Sequence, residues 1–224
     1  MAENNSSLII GISGKKQAGK TTLCENIVRS LPEGVVCIYN FADVLKDLCV
    51  DVFGLNKNQL WGSDYEKNSL TQYRWEKIPD FIKQKFNKDS GNISARHLMQ
   101  IIGTDIMRNM FDNNIWVNAL FRKIEKEKPF IAVIADVRFP SEVNFIEKIN
   151  GLMIRLDRKV FEDNHPSETS LDDYNWGDNS IRIPDCSIEE TYKIATNWMK
   201  YVFENSNSIN SELKKKLLSL EWKS

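Results

Sequence analysis

The eight residues Gly14-Lys15-Lys16-Gln17-Ala18-Gly19-Lys20-Thr21 match the pattern G-x-x-x-x-G-K-[ST] in full. That spacing suits the cradling of a polyphosphate. Glycines let the backbone curl so that consecutive amides face phosphate oxygens, and a helix starting near Lys20 would add its positive dipole end. Lys20 would bridge the β- and γ-phosphates of ATP, Thr21 would ligate Mg²⁺, and Thr22 extends the ATP-binding run. A chance Gly/Lys turn is the plain alternative; an apolar run before the loop and a helical pattern after it count against that reading. Further along, Asp136 follows the apolar run Ile131-Ala132-Val133-Ile134-Ala135, where a carboxylate can reach Mg²⁺ or its waters. Two residues on, Arg138 projects to the same side if the strand continues. The carboxylate would orient the metal and the guanidinium would fork onto phosphate. The plain alternative is a structural Asp–Arg pair at a helix start. Lys20, Asp136 and Arg138 are thus candidate catalytic residues for ATP-dependent phosphoryl transfer. No guanine-reading Asn-Lys-x-Asp stands in a suitable loop, which disfavours a GTPase, and the small size argues against a motor.

These residues need strands and helices to hold them. Leu8 to Ile12 reads as a strand buried on both faces, Thr21 to Leu31 as a helix ending at Pro32, and Val35 to Tyr39 as a second strand. Phe41 to Phe53 has helical spacing with Gly54 as its stop. The polar and aromatic stretch 56–88 reads as short helices and loops covering the sheet. Ser94 caps a helix from Ala95 through Ile102, Gly103 interrupts it, and Thr104 caps a longer helix to about Glu127. Phe130 to Ala135 and Leu152 to Leu156 are further strands, with a helix Pro140 to Ile149 between them. Asp157 to Asn179 lacks periodicity and is long for a loop, which favours a lid. Ser180 to Ile183 is a last short strand, and Ser187 caps a helix to Phe203. Beyond the polar linker 205–210, Leu213, Leu217 and Leu220 recur at helical spacing near Trp222, a stripe that docks on the domain or makes a homodimer contact. Strands alternating with helices imply a mostly parallel sheet, with ligands beyond the carboxyl ends of its strands.

Composition sets bounds. The chain has 224 residues, 42% hydrophobic and 27% charged, with a net charge of −1. That charge gives no general attraction to nucleic acid or to an anionic membrane. Cys24, Cys37, Cys49 and Cys186 show no metal-ligand or redox spacing and read as reduced thiols of a cytoplasmic protein. No apolar run approaches the ~20 residues of a membrane span.

Three segments carry a more selective resemblance: ARHLMQIIGTDIMRNMFDNNIWVNAL (Ala95 to Leu120), IADVRFPSEVNF (Ile134 to Phe145) and HPSETSLDDY (His165 to Tyr174). In this order they resemble the phage deoxynucleoside monophosphate kinases, and the similarity spans nearly all of residues 8 to 203. The resemblance implies an α/β P-loop fold of the nucleoside-monophosphate-kinase type, with five parallel strands in the order 2-3-1-4-5, helices on both faces and a lid. It implies ATP as donor with Mg²⁺, a deoxynucleoside monophosphate as acceptor, and action in a host cytoplasm. The kinase domain would cover 1–203, with an acceptor-binding helical insertion at about 41–127 and the lid at about 157–179; linker and terminal helix fill 204–224.

Carried over position by position, Phe41, Ala42, Asp43 and Lys46 face the acceptor. Arg96 suits its phosphate and Gln100 a base edge; four residues apart, they share one helix face, though an exposed Arg and a packing Gln remain open. Asp105 and Trp116 also match the family pattern, Trp116 as core or as substrate contact. Arg108 reads as a solvated helix residue or a phosphate contact. In the lid, Arg155 and Arg158 flank the fourth strand's end. Arg158 is the preferred cation for the transferred phosphoryl group, since strand alternation can turn Arg155 into the sheet. His165 and Glu168 would form a hydrogen-bonded pair ordering the closed lid, or be merely structural. Adenine would lie near Pro184, Asp185 and Cys186, where Pro184-Asp185 departs from the Asn expected of relatives. Two other functions stay open: a kinase acting on hydroxymethyl-pyrimidine in DNA, for which Lys83, Lys85 and Lys88 could line a groove, and a non-catalytic nucleotide-binding regulator.

Overall fold

The computed structural model describes residues 7–158, 169–206 and 209–222. The chain divides into two compact units, Met1–Phe41 with Leu120–Ser224, and Ala42–Ala119.

The larger unit is built on a five-stranded parallel sheet of β1 (Leu8–Gly14), β2 (Val36–Tyr39), β5 (Ile131–Val137), β6 (Leu152–Leu156) and β7 (Ser180–Ile183). All seven residues of β1 are buried. A strand covered on both faces needs no polar alternation, which is why this one reads as a continuous apolar run. On one face, Ile10 and Ile12 of β1 pack with Leu23 and Ile27 of α1 (Lys20–Ser30) and with Met199 and Phe203 of the long helix Ile188–Asn205. Towards the other face, Ile146 of α8 (Pro140–Lys148) crowds Gly11, and the rings of Phe121 and Phe145 pack 4.4 Å apart, tilted by 37°. Leu213 and Leu217, on the terminal helix Ser211–Leu218, are buried in the first of these clusters, so the apolar stripe packs into its own chain.

The neighbours run β2-β5-β1-β6-β7. These labels differ from the expected ones because β3 (Leu70–Arg74) and β4 (Asn92–Ser94) intervene in sequence and form a separate antiparallel pair. Numbered among themselves, the five parallel strands stand as 2-3-1-4-5.

In the smaller unit, the stretch 56–88 expected to be short helices and loops also contains β3, which pairs with β4 just beyond it. Around it lie α3 (Lys57–Trp61), α4 (Asp64–Lys67), a 3₁₀ turn at Trp75–Lys77 and α5 (Asp80–Phe86). The core gathers Leu60, Trp75, Ile82, Ile93, Leu98 and Ile101. The helix boundaries expected at Ile102 and Thr104 are corrected. Helix α6 (Ala95–Gln100) runs directly into a π-helical segment, Ile101–Phe111, and the break comes at 112–114 before α7 (Ile115–Glu127). Gly103 does not interrupt the helix. Its role is close approach: a Cβ there would collide with Leu45 Cδ2, on α2 (Phe41–Asp51). Among the described residues, no helix is long and apolar enough to cross a membrane.

Candidate active site

At the carboxyl end of β1 the chain turns through residues 15–19 into α1. Gly19 occupies the N-cap at φ 95°, a left-handed conformation that glycine adopts at no steric cost. It offers no side chain to cap the helix, and no acidic residue stands in the first turn. The start of α1 therefore has the polarity an anion would complete. Lys20 Nζ donates to the carbonyls of Gly14 at 2.6 Å and Lys15 at 2.8 Å, so the ammonium folds over the loop it follows. Gln17 also has a positive φ, of 62°. Ala18 donates its amide to Lys15 O, tightening the turn. Thr21 and Thr22 lie in the first turn of α1.

Asp136 lies near the end of β5, where the register against β1 shifts: Gly11 pairs with Ile134 but Ser13 with Val137. Such a bulge re-aims side chains at a strand end, so the simple two-residue alternation proposed for Asp136 and Arg138 does not hold. The strand stops at Val137, and Arg138 sits in the turn into α8, where its amide donates to Glu142 Oε2. Asp136 Oδ1 accepts from the Phe41 amide at 2.7 Å, tying the end of β5 to the residue that opens α2. Lys20 and Asp136 both act on Cys24: burial pushes its thiol up to about 12, Asp136 adds to that rise and Lys20 opposes it. The ammonium and the carboxylate thus share one neighbourhood at the base of α1.

The two arginines after β6 have different surroundings. Arg155 is 6% exposed. It donates to Ser13 Oγ at 3.0 Å and to Asp172 Oδ1 at 3.1 Å, with Asp157 at 3.7 Å. Asp172 reaches Lys15 as well, at 2.8 Å. Sequence reasoning missed Asp172, which links the segment 169–174 to the glycine-rich loop. Arg158 is half-exposed and sits 3.5 Å from Asp185. It lines a cleft together with Ala18, Gly19, Leu156, Pro184, Cys186 and Thr191. This cleft is where the expected adenine site falls. Pro184 and Cys186 are among its walls, and the Cys186 thiol is hydrogen-bonded to Thr191 Oγ1 at 3.3 Å. His165 and Glu168 lie outside the described residues.

The remaining acceptor candidates belong to the smaller unit. Asp43 and Lys46 form an ion pair at 3.4 Å on α2. Arg96 donates to Asp64 at 2.7 Å and Asn68 at 3.0 Å on α4. Gln100 closes α6 at the point where the helix widens. Asp105 is buried and bound to Lys85 at 2.6 Å. Trp116 is buried and donates its indole N–H to Gly103 O at 2.8 Å, so it is core. Arg108, read as a solvated helix residue or a phosphate contact, is buried, 8% exposed, which contradicts the first of these readings. A π-helix advances about 4.4 residues per turn in place of 3.6, so a face assigned from α-helical spacing goes astray along it.

Comparison with known proteins adds a family. Residues 55–194, more than half of the chain, match the model of deoxynucleotide monophosphate kinases. A protein of Acanthamoeba polyphaga mimivirus, provisionally named a deoxynucleotide monophosphate kinase, is 30% identical over 198 residues, covering 83% of this chain and 92% of its own. The deoxynucleoside-5'-monophosphate kinase of Escherichia phage T5 is 25% identical over 213 residues, covering 74% of this chain and 85% of its own. The glycine-rich loop precedes the matched range, so its part in the site rests on its own geometry. On these grounds the chain belongs to the deoxynucleotide monophosphate kinase family.

Proposed function

We propose that the protein transfers the γ-phosphoryl group of ATP to a deoxynucleoside 5'-monophosphate, giving the diphosphate and ADP. The observation that carries this reading is the glycine-rich loop before α1: an uncapped helix start at Gly19 with the Lys20 ammonium folded over the loop carbonyls. In this reading the amides of Lys15 to Thr22 hold the phosphates, and Lys20 exchanges its carbonyl partners for phosphate oxygens. The cleft beside Pro184 and Cys186 takes the adenine. Arg138 and Arg158 face the transferred group. A loose transition state spreads negative charge over its oxygens, and positioned cations stabilise it. No protein base is required, because a monophosphate oxygen is already an anionic nucleophile. Arg96 holds the acceptor phosphate, and Gln100 reads a base edge.

The donor set suits Mg²⁺. This ion takes one or two protein oxygens and completes its shell with phosphates and water, and no group of three or more acidic, His or Cys side chains fit for a metal occurs among the described residues. Thr21 and Asp136 would hold it, and when bound it would neutralise charge between the β- and γ-phosphates.

A DNA acceptor has less support. Of the three lysines that could line a groove, Lys83 is paired with Asp80 and Lys85 with Asp105. Coupled ADP release, measured across all deoxy- and ribonucleoside monophosphates beside oligonucleotides, tests the proposal. Turnover is expected with free deoxynucleotides, and Arg96→Ala should raise the KM for the acceptor while leaving that for ATP. Turnover confined to oligonucleotides would overturn the reading.

A further inference from the structure

Trp61 ends α3, and its surroundings are unusual for an aromatic residue that is 41% exposed. The indole N–H donates to Asp43 Oδ1 at 3.3 Å, and Lys46 Nζ sits 5.2 Å from the ring centroid, over the π-system. Lys46 is also the partner of Asp43, at 3.4 Å. The ring is therefore gripped at its polar edge and at one face by residues from the first two turns of α2, the helix that follows the carboxyl end of β2.

The corner carrying the ring is stiff. Asn56 and Gln59 close a capping box at the start of α3, and Ser63 with Glu66 closes another at the start of α4. Gly62 between them cannot take a side chain, because a Cβ would run into Asn58 O and the Glu66 carboxylate. Helix α4 then supplies Asp64, whose carboxylate holds Arg96, and Asn68 at its end supplies the second bond to that guanidinium. The same short helical pair thus presents a fixed, half-exposed indole and positions the arginine assigned to the acceptor phosphate. With Lys46 over one face, the exposed part of the ring is left to stack a planar group.

We propose that Trp61 is the stacking platform for the base of the acceptor nucleotide, a role that rests on the kinase reading above. Stacking on an aromatic face is tolerant of base identity, so Trp61 would add affinity for any deoxynucleotide, and edge contacts such as that of Gln100 would discriminate between them. Loss of one aromatic–base stack corresponds to roughly 5- to 150-fold in affinity.

The test uses the full chain. Trp61→Ala should raise the KM for each deoxynucleoside monophosphate by roughly tenfold, within that range, with the KM for ATP unchanged; Trp61→Phe, which keeps a ring, should recover most of the loss. The chain has six tryptophans, so fluorescence during titration with a deoxynucleotide gives a reading independent of turnover. Quenching is expected in the wild type and should largely vanish in Trp61→Phe, although that variant still binds by equilibrium dialysis. Wild-type quenching in Trp61→Phe would overturn the proposal, even if Trp61→Ala fails to fold. An unchanged acceptor KM in Trp61→Ala would do the same. A wild type that neither binds nor phosphorylates any deoxynucleotide removes the kinase reading, and the stacking role with it.

Discussion

Replacing Arg155 by Met should damage stability, whereas replacing Arg158 by Met should damage turnover. Arg155 is buried and serves Ser13, Asp157 and Asp172 at once. Removing one partner of a buried ion pair costs about 3–5 kcal/mol. Asp157 and Asp172 keep 27% and 36% of their side-chain exposure, so the lower end, about 3 kcal/mol, applies. For a chain of this size that lowers Tm by roughly 6–12 °C. Arg158 keeps 43% of its side-chain exposure and meets Asp185 at 3.5 Å. Such a pair contributes about 0–1 kcal/mol, so its loss should move Tm by no more than about 4 °C. If Arg158 supplies a positioned cation to the transferred phosphoryl group, its removal lowers kcat by about 10²–10³. Thermal unfolding followed by circular dichroism, beside ADP release at saturating ATP and deoxynucleotide, separates the two effects. Wild-type kcat in Arg158→Met, or wild-type Tm in Arg155→Met, would refute the division of labour.

Other perturbations follow from the same structure. Lys20→Ala should abolish turnover while the far-UV circular dichroism spectrum stays native; measurable wild-type-like kcat would remove the P-loop mechanism. Gly103→Ala should destabilise the smaller unit by no more than about 2 kcal/mol, since the collision of the new methyl group with Leu45, worth about 1–3 kcal/mol, is partly offset by the gain of about 1 kcal/mol of alanine over glycine within a helix; urea unfolding of that variant reads it directly. The Cys24 thiol is raised from 9.0 to about 12 chiefly by burial, so the folded state holds its proton where the unfolded chain has lost it. Stability from this group is therefore intact below pH 9 and falls as pH rises towards 12. Cys24→Ala should flatten that part of the stability–pH curve, and an unaltered slope would contradict the assignment.

Much of this arrangement is legible because local chemistry and burial write themselves into the chain. Gly14 to Thr21 needs backbone amides and a helix start in a fixed spacing, and β1, β5 and β6 are apolar runs because helices cover the faces of the sheet. What escapes reading depends on distant partners. Gly103 looks like a helix breaker until Leu45, far back in the sequence, is seen to need its missing side chain. The burial of Arg108 stays hidden because the segment widens into a π-helix, which apolar spacing at three and four residues does not announce. Strands β3 and β4 are short and largely polar, and the ladder that makes them strands joins residues 24 apart, Leu70 and Ser94. Asp172 reads as one acidic residue in a polar stretch, and its significance comes from Lys15 and Arg155, 157 and 17 positions away. Likewise Trp61 is one aromatic residue among several until Asp43 and Lys46 are found around its ring.

The most direct test follows the label from ATP carrying a radioactive γ-phosphate, incubated with the protein, Mg²⁺ and one deoxynucleoside monophosphate at a time. The label should appear in the corresponding diphosphate in step with ADP. Label released only as inorganic phosphate, or retained in ATP with every acceptor tried, would contradict it.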